Sequence, residues 1–234
     1  MKLSKRLACI ASYVPAGSCV LDVGCDHAFL PIALVQSGVC PFAIASDVRS
    51  GPLRAAEAHV AERGLGDRIR TVLCDGIPAD YKQIARSMER HLGLLDTPVT
   101  LVTAGMGGML MRSILSNASG PAAFDAYIAS PQKDALAFRR YITENGLRIA
   151  DEAFIAEDGK YYPVICAVRT DVLQTLTDFE ALYGPVLLKK KDPLLTDFLE
   201  RRMSVLSGIL TDIPKGHGRR EELLREMQQI REYL

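Results

Sequence analysis

Apolar residues along the first two thirds of the chain switch repeatedly between two periods. Leu3, Leu7, Ile10, Ala11 and Val14 recur at helical intervals around Ser4, Lys5 and Arg6, which predicts an amphipathic helix over 3–14 ended by Pro15-Ala16-Gly17. Cys19 to Val23 is a short apolar run of strand type, Phe29 to Gln36 reads as helix, and Phe42 to Asp47 as a second strand. The alternation continues with a helix over 51–63, a strand over 69–73, a polar stretch over 77–97 that is helical from Tyr81, and a strand over 99–103. A helix to about Leu115, a strand over 126–129 and a helix stopped by Gly146 complete it. Strands alternating with helices require crossover connections, which give a parallel sheet covered on both faces.

Two features break this rhythm. Residues 147–156 and 161–169 are consecutive strand-like runs joined by Glu157-Asp158-Gly159-Lys160, where Asp-Gly supplies the positive φ of a tight hairpin. A parallel sheet closed by an antiparallel hairpin separates the methyltransferase form of the doubly wound fold from the dehydrogenase form, which continues with parallel strands. From Thr170 the chain is charged, helical and poor in strand formers. There Leu195, Leu199, Arg202, Leu206 and Ile209, and then Leu223, Met227, Ile230 and Leu234, follow alternating steps of four and three. The expected division is a sheet domain over 1–169 and a helical, coiled-coil-like hairpin over 170–234, turning at Pro214-Lys215-Gly216-His217-Gly218. Two ordinary amphipathic helices folded back onto the sheet would carry the same pattern.

Composition narrows the class. With 234 residues, 48% of them apolar, the chain can bury a substantial core, yet no apolar run approaches the ~18–20 residues of a membrane span. The basic start continues at Lys5 and Arg6 without an apolar core and small-residue cleavage site, so no secretory signal is read and a cytoplasmic protein is expected. Six cysteines (9, 19, 25, 40, 74 and 166) form no C-x-x-C pair, which points to reduced, largely buried thiols and to no metal framework. The 28 basic and 28 acidic residues cancel, so nucleic-acid binding would have to come from local patches. Monomer and weak dimer are both compatible with this composition.

Ligands of open parallel sheets bind outside the carboxyl ends of the strands. Those ends read Asp22-Val23-Gly24-Cys25-Asp26-His27, Asp47-Val48, Asp75-Gly76 and Ala104-Gly105-Met106-Gly107-Gly108. A dinucleotide fingerprint would place glycines at 26 and 29, where this chain has Asp26 and Phe29. Pyrophosphate requires bare amides at a helix N-terminus, and Asp22 and Asp26 would repel it. The zwitterionic amino acid and sulfonium of S-adenosylmethionine suit that acidic loop. Gly24 lets the backbone approach closely, Asp47 is placed for two ribose hydroxyls, and Asp75 for the exocyclic amine of adenine. Each element also has a plainer reading: an Asp can cap the next helix, His27 can be structural, and the glycine loop can be a tight turn with Met106 and Met109 as core filler. Taken together, the four ends favour the cofactor.

With these residues assembled, the chain resembles the bacterial TrmK family, the tRNA (adenine-22-N1)-methyltransferases. The resemblance rests on Leu3-Ser4-Lys5-Arg6-Leu7, on Asp22 to Pro31, Gly51-Pro52, Asp75-Gly76, Ala104 to Gly108 and Ser130-Pro131, on Glu157 to Lys160 with Tyr162, and on Gly184-Pro185. It implies an α/β, Rossmann-like class I S-adenosylmethionine-dependent methyltransferase with a C-terminal coiled-coil-like helical hairpin, acting on N1 of an adenine in the D-arm region of tRNA. Asp26 and His27 are then the candidate catalytic residues. Asp22, Gly24, Cys25, His27, Asp47, Val48, Asp75, Gly76, Ala104 and Gly105 are candidates for the cofactor. Lys5, Arg6, Met106, Gly107, Gly108, Ser130, Pro131 and Gln132 are candidates for the substrate. The chain departs from the family pattern at Cys25, usually serine, at Asp47, usually glutamate, at the Ser130-Pro131-Gln132 turn, usually Gln-Pro-Asn, and in a longer segment between Asp75 and Gly105.

Adenine N1 carries an in-plane lone pair, so attack needs placement more than a base. The product cation spreads over N1 and N6, and Asp26 is the acid expected to stabilise it, with His27 holding the cofactor or orienting the loop. N1 is engaged in pairing inside a stem, so the base has to be unpaired or flipped out. Candidate phosphate contacts are Lys2, Lys5, Arg6, Arg139, Arg140, Lys189 to Lys191, Arg201, Arg202, Arg219 and Arg220. Thr170 to Leu234 holds 10 basic and 11 acidic residues, so a solvated helix surface is the competing reading. The rival functions are a methyltransferase for a small molecule or protein with residues 77–97 as a lid, an RNA-binding protein without turnover, and, weakest, a dehydrogenase.

Overall fold

The computed structural model describes residues 2–117, 120, 123–214 and 216–234. Among them, β1 (Cys19–Val23), β2 (Ala43–Asp47), β3 (Ile69–Leu73), β4 (Val99–Ala104), β5 (Ala126–Ser130), β6 (Leu147–Glu157) and β7 (Lys160–Arg169) form one sheet in the order β3-β2-β1-β4-β5-β7-β6. The first five strands are parallel, and β7 runs antiparallel to both β5 and β6. The hairpin read at Asp158-Gly159 is therefore present, with both residues at positive φ.

Helices α1 (Lys5–Tyr13), α2 (Phe29–Gln36) and α3 (Ser50–Glu62) cover one face; α4 (Tyr81–Leu92), α5 (Gly108–Asn117) and α6 (Ala135–Glu144) cover the other. Every residue of β1, β2 and β5 is buried between these layers, which is why they read as unbroken apolar runs with a polar residue only towards the end. Leu21, Ile44 and Leu101 enter the core beneath α4 to α6, while Val20, Ala43 and Val102 enter the one beneath α1 to α3. Chain order reverses between β1 and β4, so the carboxyl ends of these two strands flank the crevice.

Helix α4 buries Tyr81, Ala85 and Met88 in the first core. The segment over 77–97 is thus part of the covering layer, and the lid reading is corrected.

Beyond β7 come α7 (Asp178–Tyr183), α8 (Pro185–Lys190), α9 (Pro193–Asp212) and α10 (Gly218–Tyr233). They share a separate apolar cluster of Leu195, Leu199, Leu206 and Leu210 with Leu223 and Ile230, on which Phe154 of β6 packs. Leu210 is buried where the heptad reading had placed Ile209, which is 40% exposed. An unsupercoiled helix of 3.6 residues per turn drifts off a strict four-three alternation, and the four-residue step reaches the core. Lys215 of the expected connection lies outside the described residues.

One polar contact fastens these helices to the sheet. Arg139 of α6 donates through Nε to Glu152 of β6 at 2.8 Å, with the two side chains 1% and 0% exposed. Arg139 Nη1 also donates to the carbonyls of Ala181 and Leu182, while Glu152 Oε2 accepts from the backbone N–H groups of Val186 and Leu187. Arg139 is therefore not available to phosphate. Other expected phosphate contacts are engaged as well: Arg140 with Asp178, Lys190 with Asp151, Arg201 with Asp197, Arg202 with Glu226 and Arg219 with Glu222, while Arg220 donates to the carbonyls of Leu210 and Ile213. Replacing Glu152 by Gln leaves a buried guanidinium without its counter-charge. The variant is expected to lose about 3–5 kcal/mol and to melt about 10 °C lower; a melting temperature within 2 °C of wild type, roughly 1 kcal/mol for a chain of this size, would contradict this role.

Candidate functional site

The strand ends converge on a cavity of about 420 Å³ between β1, β4 and α1. Asp22 comes from β1 itself, Gly24, Cys25, Asp26 and His27 from the loop after it, Ala104 and Gly105 from the end of β4, Gln132 from the β5 loop and Arg6 from α1. The sequence had marked all nine. Phe29, Leu30, Leu7 and Arg49 complete the wall and had not been marked. Arg49 follows Asp47 by two residues in the loop after β2, and that proximity to a strand end was the available signal.

Two buried carboxylates lie beside one another and are used differently. Asp47 is 3% exposed; its Oδ2 accepts the Asp26 N–H at 3.1 Å and its Oδ1 the Arg49 N–H at 2.9 Å. Its charge pins the β1 loop to the end of β2, and the carboxylate does not line the cavity. Asp22 does line it, is 5% exposed, and has no salt-bridge partner among the described residues. Burial, reinforced by the nearby Asp47 charge, pushes its pKa up to about 7.

Asp26 sits at the mouth in a left-handed conformation at φ 52°, uncommon for a residue with a Cβ. Its exposed carboxylate lies 3.8 Å from His27 Nε2 and 3.8 Å from Arg49 Nη2. The His27 ring stacks on Phe29 at 5.4 Å, and its Nδ1 is buried without a hydrogen-bond partner. Burial, helped by the Asp22, Asp47 and Asp26 charges, raises the Cys25 thiol pKa and leaves the group neutral.

Opposite the acids, the glycine loop and the β5 loop are laced together by main-chain bonds, from Gly105 N to Ser130 O, Gln132 N to Met106 O and Gly108 N to Lys133 O. A Cβ at Gly108 would meet the Asp134 carbonyl oxygen at 2.5 Å, so the close approach of these loops requires the glycine. Ser130 and Pro131 are buried behind this seam, and Gln132 alone of that turn reaches the cavity. The Arg6 guanidinium lies over the Tyr162 ring at 4.7 Å, with Nε and Nη1 buried and lacking hydrogen-bond partners. Lys5 is exposed, its backbone N–H donating to Glu157. Asp75 and Gly76 flank a separate hollow, drawn beside β2 by the Ser46 hydroxyl donating to the Gly76 carbonyl, and Val48, after β2, is 61% exposed and lines neither.

Residues 3–165 match the methyltransferase domain family. The chain belongs to this family. Over its whole length it is 28% identical to the tRNA (adenine(22)-N(1))-methyltransferase of Bacillus subtilis, of which it covers 98%. The structure of Streptococcus pneumoniae Sp1610 superimposes with a TM-score of 0.86 at 31% identity, each chain fully covered, and that protein has also been solved with S-adenosyl-L-methionine. M. capricolum TrmK, solved with S-adenosyl-homocysteine, gives a TM-score of 0.82 at 28% identity over this whole chain and 98% of its own. In this methyltransferase-family chain, Asp22 is a cavity-lining carboxylate without a salt-bridge partner among the described residues.

That arrangement predicts a pH signature. The folded protein holds the Asp22 proton up to about 7 against an ordinary value of 3.8, so it binds more protons than the unfolded chain between those values. Stability therefore falls as pH rises through that window. The ligand-free Asp22→Asn variant should melt above wild type at pH 8, by about 2–4 °C per kcal/mol relieved, and the gap should close toward pH 4. A difference in melting temperature that is constant over pH 4–8 would rule the explanation out.

Proposed function

We propose that this chain transfers the methyl group of S-adenosylmethionine to N1 of an adenine in tRNA, the adenine at position 22 in the D-arm region, as a cytoplasmic enzyme. The cavity carries the reaction type, and the end-to-end match with the Bacillus subtilis enzyme, including the C-terminal helices, carries the substrate.

The residues fit the cofactor on chemical grounds. Asp22 is a buried carboxylate lacking a cation, the partner an amino-acid ammonium supplies, and its charged form is the one that binds. Gly24, Cys25, Ala104 and Gly105 would bound the methionyl portion. The exposed Val48 and the Asp75-Gly76 turn would receive the adenosine, with Asp47 holding the loop that shapes the site. When bound, S-adenosylmethionine supplies an electrophilic methyl group on a positively charged sulfur.

The remaining work falls to the chain. Adenine N1 attacks with a lone pair that carries no proton, so no side chain has to act as base, and the neutral Cys25 thiol is not a relay. Asp26, fixed at the mouth between His27 and Arg49, stabilises the cation developing over N1 and N6. Arg6, Gly105 and Gln132 bound the side of the cavity next to the glycine loop, through which a flipped-out base enters. Met106, Gly107 and Gly108 set the position of that loop.

Labelled methyl should pass from S-adenosylmethionine to tRNA and not to a transcript in which adenine 22 is guanine; equal labelling of both would discard the position. In the Asp26→Ala variant, kcat is expected to fall about 100-fold while the cofactor Kd changes only slightly. Parallel losses in both would move Asp26 to the cofactor.

A further inference from the structure

Next to the cavity just described, and sharing Gln132 with it, lies a second hollow of about 480 Å³. Its wall brings together Lys133 from the β5 loop, Lys160 and Tyr161 at the start of β7, Tyr162, and Phe198 of α9. Both lysines are exposed, and no acidic partner lies within 4 Å of either among the described residues. Many cations of the C-terminal helices, by contrast, are neutralised by carboxylates. The Lys133 stem is held across Gly107, where a Cβ would come within 2.9 Å of its Cε, so the ammonium is directed past the glycine loop.

The aromatic side of the hollow is built as firmly. Tyr161 stacks on Phe154 at 5.5 Å and 14°, meets Phe198 edge-on at 5.1 Å, and donates its hydroxyl to Asp197 of α9 at 3.3 Å. Tyr162 is held under Arg6. Unpaired cations interleaved with fixed aromatic rings are the chemistry that binds unpaired RNA: phosphates to the lysines, bases to the rings. Gln132, which lines both the hollow and the cavity, places this surface beside an extruded base.

Resting on the proposed tRNA reading, we propose that this hollow receives the unpaired nucleotides flanking the target adenine. Lys133 and Lys160 take phosphates on the flanking backbone, and the Tyr161–Phe198 wall stacks a neighbouring base. Helix α9 is then part of the substrate site through Phe198, which gives the C-terminal helices a role in recognition.

The test is the Lys133→Gln/Lys160→Gln double variant of the full chain, assayed for tRNA binding and methyl transfer over a salt series. Two lost phosphate contacts should lower the slope of log Kd against log salt by about 2. The Kd and KM for tRNA should rise about tenfold or more at low salt, with unchanged affinity for S-adenosylmethionine and unchanged melting temperature. Phe198→Leu keeps apolar packing and removes the ring, and should weaken tRNA about fivefold or more. Unchanged tRNA affinity and salt slope in the double variant, beside a wild type that methylates tRNA, would overturn this inference and leave the proposed function standing. A wild type that binds S-adenosylmethionine but labels no tRNA would remove both.

Discussion

The placement of everything beyond the sheet depends on the buried pair Arg139–Glu152. Neither ion is solvated, so the charges are tolerable only because each is saturated by further partners: two carbonyls for the guanidinium, two backbone N–H groups for the carboxylate. Those partners all belong to α7 and α8, so the contact works as an address. A C-terminal unit shifted by one residue would leave two buried charges unmatched, a far larger penalty than any loss of apolar contact. The seat is fitted to the backbone as well: a Cβ at Gly184 would lie 2.6 Å from a Glu152 oxygen. An apolar pair of similar volume could hold the helices as tightly, but it would not fix their register. With register fixed, Phe198 of α9 comes to stand against Tyr161 of β7.

The opposite logic governs the cavity floor. Asp22 and Asp47 are the same residue type at the ends of adjacent strands, both almost wholly buried. The protein satisfies one charge with two backbone N–H groups and the Arg49 guanidinium and leaves the other to burial and repulsion. The unsatisfied acid destabilises the ligand-free fold at neutral pH, and a cationic ligand removes that penalty on binding. Stability withheld from the free protein thus becomes affinity for a cation. Asp47 serves by holding Asp26 in its left-handed turn, so its short side chain is used for reach into the loop, where the longer glutamate of the resembled family would extend differently.

The sheet was largely legible in the sequence because its signals are local. Buried parallel strands such as Cys19–Val23 are continuous apolar runs, and Asp158-Gly159 states its hairpin in two residues. The cavity was legible for a related reason: strand ends are where this topology places a ligand, so residues far apart in the chain could be gathered by rule. What could not be read is which polar groups satisfy one another. Arg139, Arg202 and Arg140 were counted as cations for phosphate, yet their carboxylates lie 13, 24 and 38 residues away, on other elements. Asp47 turning inward, Arg49 reaching the mouth and Leu210 replacing Ile209 in the helical core depend likewise on packing that no periodicity encodes.

That distinction also resolves an apparent conflict between the polyanionic substrate proposed above and a chain of zero net charge. Net charge sums every ionisable group, whereas a phosphate meets only those left without a partner. The C-terminal helices pair three of their six arginines with their own carboxylates and Lys190 with Asp151 of the sheet, so their 10 basic and 11 acidic residues say little about RNA. Lys133 and Lys160, two unremarkable positions in the sequence, lie in loops that also carry Asp134, Glu157 and Asp158, yet neither forms an ion pair within 4 Å among the described residues. On the proposed reading, RNA binding is a property of which cations the fold leaves unpaired, and where, beside a cavity in which Asp22 and Asp26 face Arg6 and Arg49.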